Sequence, residues 1–138
     1  MFNFTKNNKK IIEDPITNIA ALLIYAAKID ENYTNKEREM IKKAINELDP
    51  KAQNIEKILL KAEELEKNSN QILNFTKEVK NLDKNLKIKI IEILWKIIYS
   101  DNNPDMYENN LMRRLTGLLY LDPKVVGDIK EKVTNDLK

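Results

Sequence analysis

The sequence has no cysteine and no histidine, and only two glycines and four prolines among 138 residues. Without cysteine there is no disulfide framework, thiolate zinc site, iron–sulfur cluster or thiol nucleophile. Without histidine there is no Ser-His-Asp triad and no imidazole ligand for a metal or haem. The scarcity of glycine disfavours phosphate-cradling loops and β-rich folds with many tight turns. A long apolar run is also missing. The cleanest one, Ile19–Ala27, falls far short of the roughly 20 residues that span a bilayer. Catalysis would have to rest on carboxylates, Lys, Tyr and hydroxyls, and nothing defines a substrate cleft between paired carboxylates. The expectation is a protein that is not an enzyme.

Charge of one sign is lacking too. The 24 Lys+Arg and 22 Asp+Glu nearly cancel, to a net +2, and the signs are interleaved. Residues 51–89 hold nine Lys and six acids, a mild excess that does not make a phosphate-binding stripe. No nucleic-acid partner is implied. The opening Met1-Phe2-Asn3-Phe4-Thr5-Lys6 lacks the apolar core of a signal peptide, and Phe2 stands where myristoylation needs a glycine. A cytoplasmic protein is expected.

What is present is mostly helix-start chemistry. Asp14-Pro15, Asp49-Pro50 and Asp122-Pro123 each pair an N-cap acid with a proline at the first helical position. Thr34-x-x-Glu37 and Asp105-x-x-Glu108 read as capping boxes or close relatives, and Ser69 and Asp83 as further caps. These signals predict an N-terminal arm over 1–13 and a helical domain over 14–138. The arm is expected loose, or touching an anionic membrane surface through Phe2, Phe4, Lys6, Lys9 and Lys10, or tucked against the bundle by Ile11 and Ile12. Seven helices are expected near 15–29, 35–48, 50–67, 70–81, 84–100, 106–120 and 123–136. The fifth carries Ile88, Ile91, Leu94, Trp95 and Ile98 on one stripe, widened by Ile90, Ile93 and Ile97, and is expected at the centre. Trp95 reads as a core residue. The third, rich in Lys and Glu, reads as a solvated outer helix.

A repeat emerges at an offset of 71 residues. Leu23 falls on Leu94, Asp30 on Asp101, Asn32 on Asn103, Glu37 on Glu108 and Leu48 on Leu119. Each unit reads as apolar helix, Asp, short polar loop, cap, Glu and apolar helix. Two related helical hairpins in one all-α bundle are expected.

The repeated acids Asp30, Glu37, Asp101 and Glu108 admit two readings. As structure, the glutamates reach back to backbone amides one turn earlier, and the aspartates satisfy amides of their own loops. As chemistry, clustered carboxylates at two loops supply oxygen ligands for a hard divalent cation: calcium, magnesium or manganese. The EF-hand template does not fit. Counted from Asp30, its glycine and terminal glutamate positions hold Asn35 and Ile41; counted from Asp101, they hold Met106 and Met112. Arg113 and Arg114 suit an acidic partner or a solvated helix face.

The run Ile91-Glu92-Ile93-Leu94-Trp95-Lys96-Ile97-Ile98-Tyr99-Ser100-Asp101, then Tyr107-Glu108-x-x-Leu111-Met112-Arg113-Arg114-Leu115, resembles the tellurite-resistance protein B (TerB-like) family. So do Ile72-Leu73-Asn74-Phe75-Thr76 upstream, and Ala26-Ala27-x-x-Asp30 with Glu37 in the first half. The resemblance covers about residues 15–135. The family's glycine after each aspartate is Glu31 in one loop and Asn102 in the other; asparagine suits a left-handed backbone better than glutamate does. The resemblance implies an all-helical, non-enzymatic module linked to tellurite and chemical-stress resistance, with metal binding through the repeated acids. Related domains in membrane-tethered co-chaperones imply the alternative, an adaptor for an unknown protein partner in which the acids only cap helices.

Overall fold

The fold is described from a computed structural model over residues 15–29, 33–69, 72–101 and 106–136, with all side chains except those at 78, 101 and 106–108. Among these residues there are seven α-helices and no strand: α1 Pro15–Ala27, α2 Asn35–Leu48, α3 Ile55–Lys67, α4 Leu73–Val79, α5 Lys84–Ile98, α6 Met106–Leu118 and α7 Pro123–Asp136. A short 3-10 turn, Tyr99–Asp101, continues α5. The all-α bundle expected from the sequence is the one observed. The N-terminal arm, with Asp14 and Asp105 as caps, lies outside the described residues.

Local chemistry sets most helix starts. Asp83 accepts the amide of Leu86 at 2.8 Å to open α5. Asp122 Oδ1 accepts the amide of Lys124 at 2.9 Å, and Pro123 follows at the first position of α7, where its missing N–H costs nothing.

Asp49-Pro50, however, does not start α3. Asp49 closes α2 by donating its amide to Ile45 O, and its own carbonyl accepts the amide of Ala52 at 2.9 Å. The chain spends four more residues turning before Asn54 caps α3, accepting from Lys57 N at 3.2 Å in a left-handed conformation with φ of 58°. Asn is among the side chains that tolerate that region, so the turn and the cap share one residue. Ser69 likewise does not cap α4, which begins at Leu73; it pairs instead with the Asn74 side chain.

The centre of the bundle is α1 rather than α5. Ten of the thirteen α1 residues are buried, against eight of fifteen in α5, and α1 packs against α2, α3, α4 and α5. Ala20, Ala21, Ala26 and Ala27 are at most 2% exposed, and their small side chains let the neighbouring helices close in. Leu22, Leu23 and Ile24 are enclosed as well, each contributing about 1.5–3 kcal/mol by burial. Phe75 of α4 is fully buried and packs at 6.1 Å, ring centre to ring centre, on Tyr25. Helix α5 is the second core element, with Trp95 only 4% exposed.

The α6–α7 corner is a Schellman turn, with Leu121 N donating to Thr116 O at 3.0 Å and Tyr120 N to Gly117 O at 3.2 Å. The left-handed position usually filled by glycine holds Tyr120, at φ 57°. Lys87, itself buried, donates its ammonium to the carbonyl of Leu119 at 2.9 Å and closes the corner from α5.

Candidate functional site

The repeated acids belong to the α1–α2 and α5–α6 junctions, and those junctions keep one register. α1 ends at Ala27 and α5 at Ile98; α2 begins at Asn35 and α6 at Met106. Both pairs are 71 residues apart. Glu37 and Glu108 are each the third residue of their helix.

Glu37 is the acid whose side chain is described, and its surroundings are those of a cap. Glu37 Oε1 accepts the backbone amide of Thr34 at 2.9 Å and the Thr34 hydroxyl at 3.2 Å. Glu37 N donates back to Thr34 Oγ1 at 3.1 Å. This is the full reciprocal capping box read from Thr34-x-x-Glu37. The carboxylate is enclosed, at 3% exposure, and it stands at the amino end of α2, where the helix dipole favours negative charge.

Asp101 is placed by its backbone at the end of the 3-10 turn, and Glu108 by its backbone in the first turn of α6; their side chains, and all of Asp30, lie outside the described residues. Described residues that flank the two junctions are in contact. Lys36 Nζ, from the first turn of α2, donates to Ser100 O at 3.4 Å, one residue before Asp101. Among the described residues, no group of three or more acidic side chains stands together in a way that could hold a metal ion.

Residues that look solvated in the sequence hold the first junction in place. On its α1 side, Lys28 pairs with Glu66 of α3 at 2.8 Å. On its α2 side, the Tyr33 hydroxyl donates to Glu63 Oε2 at 2.8 Å, and Arg38 Nε donates to the same oxygen at 2.9 Å. Arg38 reaches on to Glu56 at 2.6 Å, and Lys42 joins Glu56 at 3.2 Å. Burial first, then the bond to Glu63, pushes the Tyr33 phenol far above its ordinary range. The bonds to Glu56 and Glu63 raise the Arg38 guanidinium, and the Arg38 bond holds Glu56 below the usual carboxylate range. Glu63 and Glu66, three apart on one face of α3, clamp both sides of the loop that carries Asp30. Their i, i+3 spacing is the sequence signal that could have marked them.

Trp95 is core, as expected, with Tyr99 packed on it at 6.0 Å between ring centres. Arg113 and Arg114 are exposed on α6. Among the described residues, no helix is long and apolar enough to cross a membrane.

No curated protein and no solved structure matches the chain. A family model does, over residues 17–131, and its description is tellurite resistance protein TerB. That span takes in both junctions, the α3 clamp and the Schellman corner. The chain belongs to the TerB tellurite resistance family.

Proposed function

We propose that this chain is a non-enzymatic stress-response module that takes up a hard divalent cation at the two junctions, through Asp30, Glu37, Asp101 and Glu108. The observation that carries the reading is the contact of Lys36 with Ser100 at 3.4 Å, which draws the first turn of α2 to the backbone beside Asp101. The donor set is all oxygen, so it fits calcium, magnesium or manganese and ranks zinc lower. Glu37 is held by Thr34 before any ion arrives, so its orientation is fixed in advance. The Lys36 ammonium beside the junctions opposes a cation, and Lys36→Gln should tighten binding.

An ion that binds only the native state adds about 2.7 kcal/mol at a hundredfold excess over its dissociation constant. Thermal melts with calcium, magnesium, manganese and zinc, each against chelator, read this directly. A rise with a hard ion that disappears in Asp101→Asn and Glu108→Gln supports the site. No shift with any ion at millimolar concentration removes it. Tellurite resistance is the phenotype in the family's description, and growth of cells on tellurite with and without the protein tests it separately.

A second reading has its own support in the enclosed capping box of Glu37, 3% exposed. In this reading the acids only cap helices, and the module is an adaptor for a protein partner. Asp101→Asn and Glu108→Gln then lose the same stability with chelator as with ions. Capture of a partner from cells that survives both substitutions, and fails with substitutions elsewhere on the surface, supports the adaptor.

A further inference from the structure

We propose that the groove between α6 and α7 binds a small amphipathic carboxylate, an apolar body bearing one carboxyl group. The hollow measures about 600 Å³, within the roughly 300–1,000 Å³ of small-molecule sites.

The glycines are the first argument. The chain has two, Gly117 and Gly127, and both line this groove from within helices. Glycine inside a helix is destabilising relative to alanine; Gly127 stands well inside α7, and Gly117 is the penultimate residue of α6. Neither glycine has a positive φ, and a Cβ built on either meets nothing within 4 Å. Backbone conformation and close packing therefore demand glycine at neither position. What each supplies is open space in the same hollow, one from the α6 wall and one from the α7 wall.

Unmet hydrogen-bonding capacity is the second. Native interiors pair nearly all of their buried polar atoms, and each exception asks for an explanation. Among the described residues, the unpartnered buried side-chain atoms are Trp95 Nε1 and Asn109 Oδ1, and both residues line the groove.

Charge chooses the ligand. Among the described residues, Arg113 and Lys130 line the groove and no acid does, in a chain whose charges are otherwise interleaved. Among the described residues neither cation has a carboxylate partner; Lys130 Nζ rests 5.2 Å from the centre of the Trp95 ring. Two cations against walls of Met112, Leu121 and Val126 suit a single carboxylate on an apolar body. A ligand oxygen is also the kind of acceptor that the indole N–H lacks.

Trp95 is the chain's one tryptophan, so its fluorescence reports on the groove without a label. The probe is 4-phenylbutyrate, compared with 4-phenyl-1-butanol, which has the same body without the charge. A saturable change is expected with the carboxylate, at least tenfold weaker with the alcohol. In the Arg113→Gln, Lys130→Gln double variant, both exposed or half-exposed positions, carboxylate binding should fall at least tenfold and alcohol binding should stay as it was. Gly127→Leu fills the groove and should abolish both without lowering the melting temperature. Any of three results overturns the proposal: no saturable change at millimolar carboxylate, equal affinity for the alcohol, or wild-type binding by the double variant. Should Gly127→Leu fail to fold, Gly117→Val makes the same test from the α6 wall, and wild-type binding in that variant also overturns it.

Discussion

Replacing Glu37 by alanine separates the acid's part in the cap from any part in ion binding. In the wild type Glu37 Oε1 accepts two hydrogen bonds from Thr34, from its backbone amide and its hydroxyl. Alanine removes both and leaves the Thr34 amide without that acceptor, in a half-buried place. Loss of a cap costs about 0.5–2 kcal/mol, and an orphaned buried donor about 1–3 kcal/mol. The two overlap, since the same amide is counted in each, so about 2 kcal/mol is expected for Glu37→Ala. For a domain of this size that lowers the melting temperature by about 6–10 °C. Glutamine keeps an oxygen where Oε1 stands, so Glu37→Gln should cost less than about 1 kcal/mol. The assay is urea and thermal unfolding of the three proteins in chelator, repeated with the ion that stabilises the wild type. Equal losses for alanine and glutamine would refute the capping argument, because glutamine keeps the acceptor oxygen that the cap uses and alanine does not. A glutamine variant with near-native stability and no ion response would assign the carboxylate a second task beyond the cap.

Lys87→Met keeps the apolar stem but removes the bond to Leu119 O, so a loss of about 2 kcal/mol is expected from a charge-assisted bond to an enclosed carbonyl; urea unfolding with a loss below about 0.5 kcal/mol would refute it. Tyr120→Gly relieves a left-handed backbone that costs a side-chain-bearing residue about 1–2 kcal/mol, and the melt should rise by a few degrees. A fall would mean that the contacts of Lys80 and Lys87 with the Tyr120 ring outweigh the strain. Tyr33 is favoured in its neutral form, its pKa raised by burial and Glu63. Its contribution is therefore whole below the unfolded tyrosine value of about 10 and is lost as pH rises through the higher folded value. Titration of phenolate absorbance should show the same amplitude near the ordinary tyrosine range for Tyr33→Phe as for wild type, and a smaller amplitude in the variant would contradict that ordering.

Caps decided by neighbours in the chain were legible in the sequence: Thr34 with Glu37, Asp83, and Asp122 before Pro123 all do what their spacing implies. Asp49-Pro50 was not, because the same pair suits a helix start and a tight turn, and the choice rests on Asn54 four residues later taking a left-handed backbone. The position of α1 was obscured for a different reason. Alanine contributes little to an apolar stripe, yet it is what allows four helices to approach at once. Charge on α3 misled in the opposite sense. Glu63 and Glu66 look like solvated positions until Tyr33 and Lys28 pair with them, and that docking is tertiary information. The groove does leave a local trace in the sequence: two glycines in a glycine-poor chain, each within a helix and neither at a left-handed position.

The enclosure of α1 has a consequence for how the chain reaches its native state. α1 precedes in synthesis every helix that covers it, and the last of these, α5, ends at Ile98. Until then its ten buried residues have only part of their partners, and local pairing with α2 cannot shield them all. Closing such sequence-distant contacts is slow relative to pairing adjacent helices, and the uncovered apolar face is in the meantime a site for association with other chains. Fragments that stop short of α5 should collect as aggregates, and the rate-limiting step of refolding should be the arrival of α5 on α1.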